Sequence, residues 1–157
     1  MKTKEAQEYL KQPQRLETII KNRMIERQQM MDIALSITSG GESVWVEYNG
    51  KRELQNMEKV QSSGSQSKIA DAVNRCVDMD AEINTLIDRL VDTKRDVVST
   101  IEKLNTTEYD VLHKLYIQGM SFDEVGIEKN RSKSWVTTIH GRALANVQNI
   151  LTERKNT

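Results

Sequence analysis

Five uninterrupted heptads run from Ile69 to Leu104, and nothing else in the chain restricts its fold as much. The seam positions are Ile69, Val73, Cys76, Asp80, Ile83, Ile87, Leu90, Lys94, Val97, Ile101 and Leu104, in alternating steps of four and three. A stripe with that period lies along one face of a helix about 55 Å long, and it has to be buried against another helix. Asp80 and Lys94 interrupt it with charge, which in such seams fixes register or partner at a cost in stability. One apolar stripe cannot hold a helix on its own.

The expected partner lies earlier in the chain. Residues 1–13 are polar, and Pro13 should interrupt any helix begun before it. From Gln14 a helix is expected, with Leu16, Ile20, Met24, Met31 and Leu35 near one face and Ile19 and Met30 beside it. Ser39-Gly40-Gly41 should stop it. Met24, Met30 and Met31 would suit an adaptable groove for a partner, but ordinary helix–helix packing is the expected use. A helix of roughly 22 residues returning antiparallel cannot cover one of roughly 36, so a second protomer is expected to cover the rest.

Between the two helices, Val44, Val46 and Tyr48 alternate with polar residues, and Asn49-Gly50 is a strong hairpin signal. Lys51 to Gln55 is poor strand material, so the expectation is a marginal hairpin or a loop within residues 39–67. Trp45 would serve either as an anchor on neighbouring helices or as an exposed contact. Ser62-Ser63-Gly64-Ser65-Gln66-Ser67 reads as a flexible connector.

After the heptads, Asn105-Thr106-Thr107 caps a new helix, with Glu108 and Asp110 in its first turn. Tyr109, Leu112, Leu115 and Tyr116 form its apolar stripe, and Gln118-Gly119-Met120-Ser121 ends it in a tight turn. Ser121 and Glu124 match a capping box. A loop is expected from Ile127 to Arg131, after which Ser132 caps a longer helix carrying Val136, Ile139, Ala143, Leu144, Val147 and Leu151. Short helix, turn and longer helix make the pattern of a helix-turn-helix. The reading is therefore all-α: a polar segment 1–13, a long antiparallel helical hairpin or coiled-coil oligomerisation module 14–104, and a helix-turn-helix domain 105–157.

Charge distribution agrees with that end of the chain meeting nucleic acid. Lys+Arg and Asp+Glu are equal in number over the 157 residues, so no global field attracts a polyanion. From Lys129 to Lys155, however, there are six basic residues against the single acid Glu153, while Thr107 to Glu128 carries five acids against Lys114. Phosphate attraction is screened within about 10 Å, so the local excess is what counts. Hydrophobic residues are only 37% and charged residues 29%, a balance suited to solvent-exposed helices rather than a deep core.

Other classes find little support. Cys76 is the single cysteine, so an internal disulfide is excluded and a reducing cytoplasm fits. No apolar run approaches the roughly 18 residues of a membrane span, and the N-terminus has no signal-peptide h-region. A cytoplasmic protein is expected. There is no glycine-rich phosphate loop, no nucleophile elbow and no metal-spaced cysteine–histidine cluster. His113 and His140 lack a carboxylate at ligand spacing, and the acids of the long helix (Asp78, Glu82, Asp88, Asp92, Asp96) read as a solvated face. No catalysis, cofactor or metal is expected.

The run Leu115-Tyr116-Ile117-Gln118-Gly119-Met120-Ser121-Phe122-Asp123-Glu124-Val125-Gly126 resembles the "RYxxGxSxxEIA" signature of sigma factor region four, and Ser132 to Leu144 resembles its recognition helix, "SxxxVxxIxxxAL". Glu8-Tyr9-Leu10, the Val60-Gln61-Ser62-Ser63-Gly64 connector and the heptad helix are similar to small phage regulators of Gram-positive bacteria, the sigma-like group overlapping the ArpU and RinA type of late-gene regulators. The resemblance implies sequence-specific binding of double-stranded DNA. Lys133, Ser134, Thr137 and Thr138 would face bases and Arg142 the backbone; His140, read from its own position, is expected at the surface or facing the groove. Arg131 and the backbone N–H groups around Ser132 would take a phosphate. Trp135 would either stack on a sugar or thymine methyl or cover the turn. Gly126 stands where the family usually has alanine, which is compatible with close helix packing. Lysine, serine and threonine replace the usual arginine, glutamate and glutamine among the base-facing positions. The chain lacks the sigma domain that melts promoters, so the implied role is a phage or prophage regulator: a coiled-coil homodimer presenting two readers and helping to recruit host RNA polymerase. The rival readings are a small terminase subunit binding packaging sites, and an adaptor that binds polymerase or sigma factor without DNA.

Overall fold

The computed structural model describes residues 3–38, 43–56 and 63–157. They are predominantly helical. Helix α1 spans Lys4–Thr38 and is followed by strands β1 (Ser43–Tyr48) and β2 (Lys51–Asn56). Then come α2 (Ser63–Ile101), α3 (Thr106–Leu112), a π-helical turn at His113–Ile117, α4 (Phe122–Lys129) and α5 (Lys133–Lys155). Among the described residues no helix is long and apolar enough to cross a membrane.

The chain divides into two compact units, one from Met1–Ile20 and Leu86–Thr157, the other from Lys21–Thr85. The sequence reading drew a boundary at 104/105, whereas residues 86–104 share a unit with everything that follows them. In that first unit, Val97 and Ile101 of α2 are fully buried with Val111, Leu112, Leu115, Tyr116, Val125, Val136, Ile139, Ala143, Leu144, Val147 and Leu151. All six residues expected to seat the last helix are in this core.

Two residues of the expected polar segment are in it as well: Ala6 and Leu10. Helix α1 begins at Lys4 rather than Gln14 and passes through Pro13 without a break. An internal proline costs a helix about 3 kcal/mol through a lost hydrogen bond and a clash. Burial supplies the compensation. Leu10, Ala6 and the Pro13 ring are removed from water, and one buried leucine alone is worth about 2 kcal/mol. Polar bonds fix the dock: the Tyr9 hydroxyl donates to Asp96 and lies 2.8 Å from Thr100 Oγ1, the Ala6 N–H donates to Gln148 Oε1, and Arg154 donates to Thr100 Oγ1. Glu17 pairs with Lys94.

In the second unit the heptad seam holds in modified form. Cys76 and Ile83 are buried as expected, but Ala72 and Met79 are buried beside them while Val73 is exposed. Asp80 is held by a two-pronged ion pair with Arg27, and the Cys76 thiol lies 3.8 Å from the Arg27 carbonyl oxygen. Both charged intrusions therefore have partners within their own chain. The loop between the long helices resolves to the hairpin alternative: Asn49 and Gly50 both have positive φ, 52° and 72°, as a two-residue turn of this hand requires, and the register runs from Tyr48↔Lys51 to Ser43↔Asn56. The turn, not strand propensity, sets that pairing.

Two further expectations are corrected. Ser63 to Ser67 are the first turns of α2, not a connector. Serine and glycine cost a helix only about 0.5–1 kcal/mol each, and extending an established helix is cheap where no proline intervenes. Ser39-Gly40-Gly41, the expected stop, and Ser62 lie outside the described residues. The estimate of a first helix of some 22 residues also falls, since α1 has 35. That removes the length argument for a second protomer on the primary seam.

Candidate nucleic-acid interface

Helices α4 and α5 owe their positions to local chemistry legible in the residues. At the start of α4 the capping box is complete: Ser121 Oγ accepts from the Glu124 N–H at 3.2 Å, and Glu124 Oε2 accepts from the Ser121 N–H at 2.8 Å. At its end Asn130 takes the left-handed conformation, φ 54°, and its N–H reaches the Gly126 and Ile127 carbonyls. The expected loop from Ile127 is thus shorter, because Ile127 to Lys129 are helical. Ser132 then caps α5 by accepting from the Trp135 N–H at 3.1 Å.

The turn between them leaves no room at Gly126. A β-carbon there would sit 2.9 Å from the Arg131 carbonyl oxygen. That approach is used, since the Arg131 N–H donates to the Gly126 carbonyl at 2.8 Å. Before α4, the π-helical turn leaves carbonyls of Leu115 and Tyr116 to accept from the Gln14 side chain, at 2.9 and 3.2 Å. Helix α1 is therefore part of the support beneath this site.

Helix α5 has two faces. Val136, Ile139, Ala143, Leu144, Val147 and Leu151 point into the core, while Lys133, Ser134, Thr137, Thr138 and Arg142 are exposed. The hydroxyls of Thr137 and Thr138 donate to the carbonyls of Lys133 and Ser134 one turn back. Arg131 and Ser132 are exposed at the start of the helix. Seven of the nine residues singled out from the sequence thus lie on one accessible surface.

Trp135 and His140 do not. Trp135 is half-buried against the core, with the Arg131 guanidinium 5.3 Å over its ring, so it covers the turn. His140 is buried: its Nε2 lies 2.7 Å from the Tyr116 hydroxyl, and the Phe122 ring stands edge-on at 5.1 Å. It is a polar element of the core. Its position was legible, because residue 140 falls on the same stripe as Val136, Ala143 and Val147.

Charge pairing sorts the basic residues. Lys129 is held by Asp110, Lys155 by Glu5, and Arg154 by Asp96 and Thr100. Lys133 lies 3.7 Å from Asp123, with both side chains largely exposed, an arrangement worth little in water. Arg131, Lys133 and Arg142 remain for an external anion. A count of charges along the chain could not have separated these from the other three.

Burial holds the pKa of His140 below the usual histidine range, and Lys11 adds a smaller repulsion. Its neutral form thus contributes stability that is complete above the unfolded value of about 6.5 and is lost as the pH falls from there towards the lowered folded value. Thermal unfolding of the native chain and of His140→Gln, followed from roughly pH 7 to 5, is expected to show the steeper loss in the native chain. Parallel curves would remove this role.

Among the described residues no group of three histidine, cysteine, aspartate or glutamate side chains could hold a metal ion. Comparison of the chain with protein-family models, with curated proteins and with solved structures found no match.

Proposed function

We propose that the chain is a sequence-specific DNA-binding regulator of transcription, in which α4 and α5 form a helix-turn-helix and the N-terminal half of α5 enters the major groove. The observation that carries this reading is the two-faced α5: a polar, cationic surface on the outside of a helix whose other side is locked into a core. Lys133 and Ser134 address base edges. Thr137 and Thr138, their hydroxyls turned to the helix backbone, offer methyl groups to thymine methyls. Arg131 and Arg142 address phosphates. The two phosphate-facing arginines suit a salt slope of roughly −2 for each reader.

The resemblance to sigma region four and to phage late-gene regulators suggests a phage or prophage promoter as the target and host RNA polymerase as a partner. It also suggests a homodimer that sets two readers on one site, without catalysis, metal or cofactor, in the bacterial cytoplasm. Footprinting and titration on fragments of the genome that encodes the chain test it. One preferred, salt-sensitive fragment is expected, and Lys133→Ala with Arg142→Ala should weaken binding to it by about 1–3 kcal/mol. Equal, weak binding to every fragment would overturn the reading.

A further inference from the structure

Of the three cations left for an external anion, Lys133 alone among the described residues has an acid within 4 Å. The acid is Asp123, in the first turn of α4, its Oδ2 3.7 Å from Lys133 Nζ across a recess lined by Gly126, Ile127, Asn130 and Arg131. Local structure does not call for this charge. Ser121 and Glu124 complete the cap of α4, and Glu124 already supplies the negative charge that the first turn favours. Stability does not call for it either, because the two side chains are 69% and 65% exposed, where an ion pair contributes little. Arg131 shares the recess, but its guanidinium lies over the Trp135 ring.

We propose that Asp123 is a specificity-determining residue: its carboxylate keeps Lys133 from taking a phosphate, so that the lysine adds affinity only where it meets the right base edge. The proposal rests on the DNA-binding reading above. An ammonium on a flexible four-carbon stem is a point charge that binds any phosphate within reach. Unopposed, Lys133 would strengthen binding to every sequence alike. Paired with Asp123, it gains little by moving to a phosphate, since one exposed oxyanion is exchanged for another. A guanine edge is a different exchange, because O6 and N7 accept together inside the groove. At unrelated sequences the lysine therefore stays with Asp123, and only the arginines hold phosphates.

The test is titration of the preferred fragment and of unrelated DNA over a range of salt concentrations. Asp123→Asn, which keeps the shape of the side chain, should tighten binding to unrelated DNA by up to about fivefold, the worth of one exposed ion pair. Its salt slope there should steepen by about 1 as Lys133 joins the phosphate contacts. Binding to the preferred fragment should change far less, so the ratio between the two falls. Asp123→Glu should restore the native ratio, and in a Lys133→Ala background Asp123→Asn should leave the salt slope unchanged. No change on either DNA, equal tightening on both, or the same steepening without Lys133 would overturn the proposal and leave the DNA reading intact. A native chain with no preferred fragment overturns that reading and this proposal with it.

Discussion

Replacing Leu10 by alanine is expected to destabilise the unit that carries α4 and α5 by about 2–5 kcal/mol, the range for removing a buried leucine side chain. The melting transition should fall by about 10 °C or more. Leu10 is completely buried among Val97, Ile101 and the apolar face of α5's unit, although more than eighty residues separate it from any of them in the chain. A polar N-terminal tail, which is what the first 13 residues look like, would predict no change. Gln12→Ala is the control: exposed on the same helix, it should shift stability by less than about 0.5 kcal/mol. Chemical denaturation of the three chains decides the matter, and a Leu10→Ala effect no larger than the control would place the segment outside the core. The consequence reaches the interface, because Gln14 on the same helix bonds the carbonyls just ahead of the α4 turn.

What the residues revealed and what they concealed divides along the range of the forces involved. Caps, turns and stripes act within a few positions. Ser121 with Glu124, Ser132, Asn105 and the buried series on α5 accordingly stand where the spacing predicts. The failures with the largest consequences are long-range. Pro13 is a helix breaker by local rules, and only burial of its neighbours by residues far along the chain overrides them. Lys129 and Arg154 look like DNA contacts in a charge count, yet Asp110 and Asp96 claim them across the fold. Arg27 and Glu17 neutralise charges that read as signals for an external partner. The candidate surface was thus legible in its helix face and in seven of its nine residues, and mistaken in His140, which packs inward, while Trp135 takes the turn-covering one of its two expected roles.

Gly126 offers the sharpest test of how α5 is aimed. By helix propensity alone, Gly126→Ala should stabilise the chain by about 1 kcal/mol. The added methyl, however, would meet the Arg131 carbonyl oxygen at 2.9 Å, and a backbone atom cannot rotate out of the way. The expected result is therefore a net loss of about 1–3 kcal/mol, the usual cost of overpacking. The peptide that must move joins Arg131, whose own N–H donates to the Gly126 carbonyl, to Ser132, and leads directly into Lys133, so the start of α5 shifts with it. Binding to the preferred DNA fragment should then weaken more than binding to unrelated DNA, since base contacts depend on register and phosphate attraction does not. Gly141 supplies the contrast: it is exposed on α5 with nothing within 4 Å of an added β-carbon. There the same substitution should raise stability by up to about 1 kcal/mol. Opposite signs at the two glycines would show that close packing at the turn, rather than helix propensity, sets the angle of α5. A gain at both positions would mean the turn relaxes freely, and the aim of α5 would have to come from its buried face alone.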